Sequence, residues 1–277
     1  MVASLHTIVC LKVVPKPEEV TIDPATLTLD RARARSEINP PDMNAVEVAL
    51  HLKDRHGGRV TILSMGPPFV GRYLGLALAM GADAAYLLSD RAFGGADTLA
   101  TSYTLAEAIR RLGPFDLVLC GEESSDGATA QVPPGIAEWL NVSQVTYATE
   151  LQLLRRQGQL KAHREVTGGY EVLMAPLPAV VSVKLGVNEP RFMDIERLQR
   201  LEERPRVTVW SASDLGLAEE MIGFKGSATV VAGVQEAEAR GRRRERLTGT
   251  PQQKAQALLA RIVHYLEMGS PTVSKRS

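Results

Sequence analysis

The feature that most constrains this chain is an alternation in its first 140 residues between short apolar runs and stretches with helical spacing. Residues 7–14 form the first run, with Ile8, Val9, Leu11, Val13 and Val14 apolar. Arg59–Met65 is the second, 84–89 the third and 115–119 the fourth. Continuous apolar runs of this length suit strands buried on both faces, the habit of a parallel sheet. Between them Ala45, Val48, Ala49 and Leu52 keep helical spacing, residues 69–80 are rich in Leu and Ala, and Thr98–Leu112 carries Leu105, Ala108, Ile109 and Leu112. Asn39 or Asp42 is placed to cap the first helix, with Pro40 and Pro41 at its opening and Gly57-Gly58 at its end. Strands alternating with helices predict an α/β fold, a doubly wound parallel sheet of Rossmann-like type.

In such a sheet, ligands sit beyond the carboxyl ends of the strands, where the strand order switches. Cys10, Met65, the 90–97 loop and Gly121 fall at those ends. The fourth run leads into Cys120, Gly121, Glu122, Glu123, Ser124, Ser125, Asp126, Gly127, Ala128, Thr129, Ala130 and Gln131. An amphipathic helix follows, with Val132, Ile136, Trp139 and Leu140 on one face. Gly121 and Gly127 permit close backbone approach. Ser124, Ser125 and Thr129 add hydroxyls, and Asp126 is placed to accept from a ribose hydroxyl or to brace the loop. With free backbone N–H groups and the positive end of a helix dipole, this suits a phosphate cradle for a nucleotide. A plain polar turn capping the helix would use the same residues. No GxGxxG or GxxxxGK[ST] pattern occurs in the chain.

The second half changes character. Residues 150–155, 160–166 and 171–174 read as short strands joined at Gln157-Gly158 and Gly168-Gly169, a β-hairpin insertion. The β-branched run at 179–185 rejoins the sheet. Ile195, Leu198 and Leu201 mark a short helix, and Val207-Thr208-Val209-Trp210 a last strand. Within 15–38, Thr26-Leu27-Thr28-Leu29 alternates like an edge strand. Core signal thins from about residue 211, which divides the chain into a nucleotide-binding domain, 1–210, and an arm, 211–277. In the arm, residues 239–246 are basic and read as a solvated segment. Thr250-Pro251-Gln252-Gln253 has the form of a capping box. Ala255, Leu258, Leu259, Ile262 and Leu266 form an apolar stripe suited to wrapping a partner or to docking on the chain's own domain.

Charge and composition exclude more than they assign. The 32 basic residues match 32 acidic ones, so bulk charge gives no support for nucleic-acid binding. No apolar run of about 18 residues occurs, so no membrane insertion is expected. The first residues, Met1 to His6, lack the blocks of a secretion signal. Cys10 and Cys120 read as small apolar residues at strand ends rather than a disulfide, which makes the cytoplasm the expected compartment. Five scattered histidines show no ligand spacing, and no metal site is expected.

An ordered set of short matches over nearly the whole chain resembles one family, the β subunit of electron-transferring flavoproteins (the ETF β/FixA family). Its pieces are Val9-Cys10-Leu11-Lys12, Ile38-Asn39-Pro40, Met80-Gly81-Ala82-Asp83, the 121–132 loop, and Gly168-Gly169 followed by Leu177-Pro178-Ala179-Val180-Val181. Asn188-Glu189-Pro190-Arg191, Lys225-Gly226-Ser227-Ala228-Thr229 and Gly249-Thr250-Pro251 complete it. The resemblance implies an adenine-nucleotide-binding fold similar to that of the adenine nucleotide α-hydrolases. It also implies a heterodimer with an α subunit that carries a redox FAD, the 211–277 arm docking on that subunit. By match, Cys10, Asn39, Pro40, Pro41, Asp42, Met65 and the loop from Gly121 to Val132 hold a nucleotide. The 188–198 segment is similar to the one that docks acyl-CoA dehydrogenase-type partners, with Ile195 as apolar anchor; packing of Ile195 within its own helix is the other reading.

Two subfamilies differ in the ligand. In one the β subunit holds AMP, a structural ligand; in the other it holds a second FAD that takes hydride from NADH and splits the electron pair. Residues 90–98, 102–106 and 126–132 resemble the second group, so FAD is the expected cofactor and AMP the alternative. Small residues there leave space for an isoalloxazine ring, and Asp97 and Thr98 are placed to bond its polar edge. One electron would pass by the α flavin to a dehydrogenase or quinone-linked partner, the other to a low-potential carrier such as ferredoxin or flavodoxin. No catalytic side chain is expected. The chain departs from the pattern at Ala128, Pro133, Thr167 and the acidic Glu122-Glu123 pair. A nucleotide-sensing protein of the hydrolase type is the reading from another class, and no base or metal constellation supports hydrolysis.

Overall fold

The computed structural model describes residues 4–16, 21–23, 28–30, 35–203, 206–230 and 246–269. Strand β1 (His6–Cys10) comes first. Two small ribbons follow, β2 (Val13–Pro15) paired with β5 (Ser36–Ile38), and β3 (Thr21–Asp23) paired with β4 (Thr28–Asp30). The expected run at 7–14 is thus two strands, parted at Leu11-Lys12. Of the alternating segment at 26–29, Thr26 and Leu27 lie outside the described residues. Then come α1 (Pro40–His56), β6 (Arg59–Met65), α2 (Gly71–Met80), β7 (Ala84–Leu88), α3 (Thr98–Leu112), β8 (Leu117–Gly121) and α4 (Val132–Leu140). The second half adds β9 (Ser143–Leu154), β10 (Gln159–Val166), β11 (Gly169–Pro176), β12 (Ala179–Val183), α5 (Ile195–Glu203), β13 (Val207–Trp210), α6 (Ala212–Leu215) and α7 (Pro251–Gly269).

Nine strands form one sheet in the order β11-β10-β9-β12-β8-β1-β6-β7-β13. From β12 through β13 every pairing is parallel, as is β9 with β12; β10 and β11 extend the sheet antiparallel. The architecture is therefore a doubly wound α/β sheet with a hairpin extension. Side chains alternate between two cores, as strand pleating requires. Val9, Ile62, Leu117 and Leu119 lie in one with Val46 and Leu50 of α1 and Leu74 of α2. Ile8, Leu63 and Val118 lie in the other with Leu105 and Ile109 of α3 and Ile136 of α4. Strand β9 begins at residue 143, earlier than the apolar pattern suggests, and carries Tyr147 at φ 56 where its pairing with β12 shifts register.

Two loops are pinned to this frame. Arg191 pairs with Glu47 and Asp54 on α1, and its backbone N–H also donates to Glu47. Asn44 and Asn188 exchange side-chain and backbone bonds in both directions. The segment after β13 folds back on the 90–97 loop: Ile222 is buried beside Phe93, and the Phe224 N–H donates to Gly94 O at 2.9 Å. Past residue 211, Ile222 is buried on this core, and Ala212, Leu215 and Leu217 are partly buried against it.

The chain divides into two units, 1–234 and 235–277. In the second, Thr250 and Gln253 exchange the reciprocal bonds of a capping box at the start of α7. Leu258, Leu259, Ile262 and Val263 are exposed on that helix. The basic run falls at 239–246, of which 239–245 lie outside the described residues.

Helices α3 and α4 meet at Gly135, where a Cβ would lie 2.7 Å from Ser102 Oγ and 2.8 Å from Ser102 Cβ. Gly135→Ala is expected to cost about 1–3 kcal/mol through overpacking. Combined with Ser102→Gly it should cost less than the sum of the two single changes, because the clash is shared. Urea denaturation of both single variants and the double variant measures this coupling.

Candidate functional site

From β1 the sheet order runs to β6 and β7 on one side and to β8 and β12 on the other. The switch point is therefore the crevice at the carboxyl ends of β1 and β8. The amino end of α1 enters it. Asp42 is buried there, and its carboxylate accepts from both strand ends: Lys12 N–H to Oδ2 at 2.7 Å and Gly121 N–H to Oδ1 at 3.0 Å. Gly121 is needed for this approach, since a Cβ would sit 2.4 Å from Asp42 Oδ1 and 2.7 Å from Pro41 Cβ. Burial pushes the Asp42 carboxyl up to about 6, against the pull of the Lys12 N–H, the Asn39 side chain and the Gly121 N–H.

Asn39 occupies the N-cap position of α1, ahead of Pro40 and Pro41, but its side chain makes no cap bond. It is turned to the 121–132 loop instead. Its Nδ2 donates to Glu123 O at 2.8 Å, and its Oδ1 accepts from the Ser125 N–H at 3.1 Å. The two candidate caps of α1, Asn39 and Asp42, thus both serve the crevice. Lys12 reaches the same loop with its ammonium, 3.1 Å from Ser124 Oγ and 2.5 Å from Asp126 Oδ1. Thr98 Oγ1 donates to Gln131 Oε1 at 2.9 Å, tying the start of α3 to the loop's far end.

Within the loop the Ala128 N–H donates to Ser124 O at 2.8 Å, and Ala128 and Ala130 adopt left-handed φ values of 46° and 54°. Left-handed non-glycine residues are strained and cluster at ligand sites. The backbone N–H groups of Gly127, Thr129, Ala130, Gln131 and Val132 have no partner among the described residues. Most donors come from the loop; the helix start adds the Val132 N–H alone, because Pro133 and Pro134 have no N–H and the Gly135 N–H bonds to Gln131 O. Glu122 is turned toward the exit of β12, where it accepts from the Leu185 N–H at 2.9 Å and lies 3.6 Å from Lys184. Glu123 and Thr129 are exposed.

The remaining predicted residues flank the crevice. Cys10 and Cys120 are free and buried at neighbouring strand ends. Contact with Cys10 and burial push the Cys120 thiol up, so it stays neutral. Met65, half-buried at the end of β6, packs on the same core. Asp97 has both oxygens engaged: Oδ1 accepts from Leu99 and Ala100 N–H, and Oδ2 from the N–H and hydroxyl of Thr229. Burial raises its carboxyl, but the bonds from Ala100 and Thr229 outweigh it and hold the group below its usual range. Three residues that stand within the family matches, Lys12, Ser227 and Thr229, are given no place at the site by the sequence. Lys12 is the first charged residue after the β1 apolar run, which is the signal that marks it. Ser227 and Thr229, which fasten Asp97, carry no such signal. Among the described residues no group of His, Cys, Asp and Glu is arranged to hold a metal, and no helix is long and apolar enough to cross a membrane.

Gly121→Ala is expected to cost about 3 kcal/mol, because the clash is with the buried carboxylate and with Pro41. Gly127→Ala, whose Cβ meets only Ser124 Oγ at 3.3 Å, should cost less than about 1 kcal/mol. Thermal unfolding of the two variants side by side gives the comparison.

Residues 26–215 match the family model described as the electron transfer flavoprotein domain. The electron transfer flavoprotein subunit beta of Clostridium acetobutylicum is 44% identical over 237 residues, covering 86% of this chain and 90% of that one. The caffeyl-CoA reductase-Etf complex subunit CarD of Acetobacterium woodii is 43% identical over 228 residues, 82% of this chain and 86% of its own. Protein FixA of Azotobacter vinelandii is 40% identical over 266 residues, 93% of this chain and 94% of its own. With its doubly wound sheet and these likenesses along most of its length, the chain belongs to the electron transfer flavoprotein β-subunit family.

Proposed function

We propose that the crevice binds the adenosine-phosphate part of FAD, and that the chain serves as the nucleotide-holding β subunit of a two-flavin electron carrier. The observation that carries this reading is the row of unpartnered N–H donors in the 121–132 loop, gathered with the Lys12 ammonium at the switch point. A phosphate there would take Lys12 from Asp126 and accept from the loop backbone. Asn39 holds that loop to α1 from both of its amide atoms. Gly94, Gly95 and Ala96 provide a stretch of small residues beside Thr98, as a flat ring system requires. In this reading Asp97 acts by fixing Thr98 and the 227–229 segment rather than by touching the ring. When bound, FAD supplies hydride acceptance from NADH and one-electron transfer; the protein supplies binding and electrostatics.

The partner side is read from the surface. Phe192 is 99% and Ile195 71% exposed, next to a loop that Arg191 and Asn188 fix to α1. Rigid presentation of apolar side chains suits docking of a redox partner. The likeness to CarD supports an acyl-CoA-directed partner of the dehydrogenase type. Exposed leucines and Ile262 on α7 suit an α subunit. AMP is the second reading, and what favours it is that, among the described residues, one lysine, Lys12, reaches Ser124 and Asp126 of the loop, enough for one phosphate.

Purification with the α subunit, release of the ligands and separation of FAD from AMP test the assignment. Two FAD per heterodimer is the expected result; one FAD with one AMP overturns it in favour of the structural ligand. Nucleotide turnover by this chain alone would favour the hydrolase-type reading. Lys12→Met is expected to weaken nucleotide binding about tenfold or more, the loss of one charge-assisted phosphate contact. Titration calorimetry of the nucleotide-depleted heterodimer measures it.

A further inference from the structure

We propose that Asp42 is a positioning residue for the nucleotide: its ionised carboxylate fixes the spacing between the β1 and β8 strand ends, and so between Lys12 and the phosphate-binding loop. This rests on the nucleotide reading above and goes beyond it, because it gives a buried group that holds the two strand ends control over affinity. The geometry is specific. Each carboxylate oxygen takes one N–H, from Lys12 on one strand end and from Gly121 on the other. The Lys12 carbonyl in turn accepts from the Asn39 N–H at 2.9 Å, so the backbone of Lys12 is held on both sides. Gly121 opens the loop whose far side Lys12 contacts through Ser124 and Asp126. The clamp therefore joins the two ends of the cradle at its root.

Only the anion can do this. A protonated carboxyl turns one of its two oxygens into an O–H, a weaker acceptor, and an asparagine amide replaces one oxygen with an NH2 group that cannot accept at all. One strand end is then left with a weak acceptor or none, at the cost of a poorly paired or unpaired buried donor. The groups facing Asp42 are Lys12 from the exit of β1, the Cys10 and Cys120 thiols at the ends of β1 and β8, and the Asn39 amide at the start of its own helix. Lys12 favours the anion; burial opposes it and places the titration at about 6. Nucleotide binding should accordingly weaken as the pH falls through that value and the carboxylate takes up its proton.

The test uses the heterodimer purified with its α subunit and depleted of β-site nucleotide. Binding of FAD, and separately of AMP, is measured between about pH 5 and pH 8 for wild type and Asp42→Asn, alongside melting temperatures. FAD's diphosphate keeps its charge over this range, whereas the AMP phosphate titrates near pH 6, so the wild-type-minus-variant difference isolates Asp42. The expected result is a wild-type FAD affinity that falls about tenfold from pH 7 to pH 5, and a variant about tenfold weaker at pH 7 with a flat profile. Its melting temperature should change little, because relief of a buried charge offsets the cost of the unpaired strand-end N–H. A variant that binds like wild type with the same pH profile overturns the clamp and leaves the nucleotide site standing. Wild type that binds neither FAD nor AMP at any pH overturns both. Should Asp42→Asn fail to fold, the wild-type FAD profile decides alone: a flat profile overturns the proposal.

Discussion

The arrangement of this protein depends on a buried carboxylate at the point where the sheet changes direction. Asp42 lies among the carboxyl ends of β1 and β8 and takes one N–H from each. A carboxylate in that place is not a stabilising element at neutral pH. Burial raises its folded pKa from 3.8 to about 6, so its contribution to stability is fully present below about pH 3.8 and lost as pH rises through about 6. A shift of that size corresponds to a cost on the order of 3 kcal/mol once the group is ionised. The fold carries this cost where two strand-end donors share one acceptor. A neutral side chain of the same size would serve one strand and abandon the other.

Around that clamp the 121–132 loop is over-determined. It is held from α1 by Asn39, from β1 by Lys12 and from α3 by Thr98. Three independent anchors are what allow two alanines to keep left-handed backbones, each costing roughly 1–3 kcal/mol. The strain has a structural purpose. Reversing the backbone at Ala128 and Ala130 leaves successive N–H groups of the loop without partners, which a relaxed helical turn would have consumed. The prolines at 133 and 134 work in the same direction, since they leave the first turn of α4 with the Val132 N–H alone as a free donor and shift the donor row to the loop before it.

Much of this frame was legible in the residues. Buried parallel strands need apolar side chains on both faces, so 59–65 and 84–88 stood out, and Thr98–Leu112 showed its helical spacing with both ends marked. The ligand end of the sheet followed from the winding alone. What stayed hidden depended on distant partners. Asn39 and Asp42 carry the chemistry of a helix cap, and local sequence has no way to show that their partners lie 79 to 86 residues further on. The first half of β9 was missed because its buried residues, Val145 and Ala148, fall three apart across the left-handed Tyr147, which breaks the two-residue period of a strand. Ile222 was missed because its apolar neighbours Met221 and Phe224 are exposed, so no periodic apolar face marks the one that is buried.

The choice between FAD and AMP was not legible for a related physical reason. Both ligands carry the same adenosine phosphate, and the clamp and the 121–132 loop are suited to that shared part. Discrimination has to come from where a ring system would extend, beside residues 90–98. That wall is set by the segment after β13: Ser227 and Thr229 fasten Asp97, and Phe224 Cβ lies 3.3 Å from where a Cβ on Gly95 would stand. Gly95, at φ 73, is the residue that lets this segment close so near. Specificity for a second, larger ligand part would thus be a property of how the 222–229 segment packs, not of the cradle proposed for the phosphate.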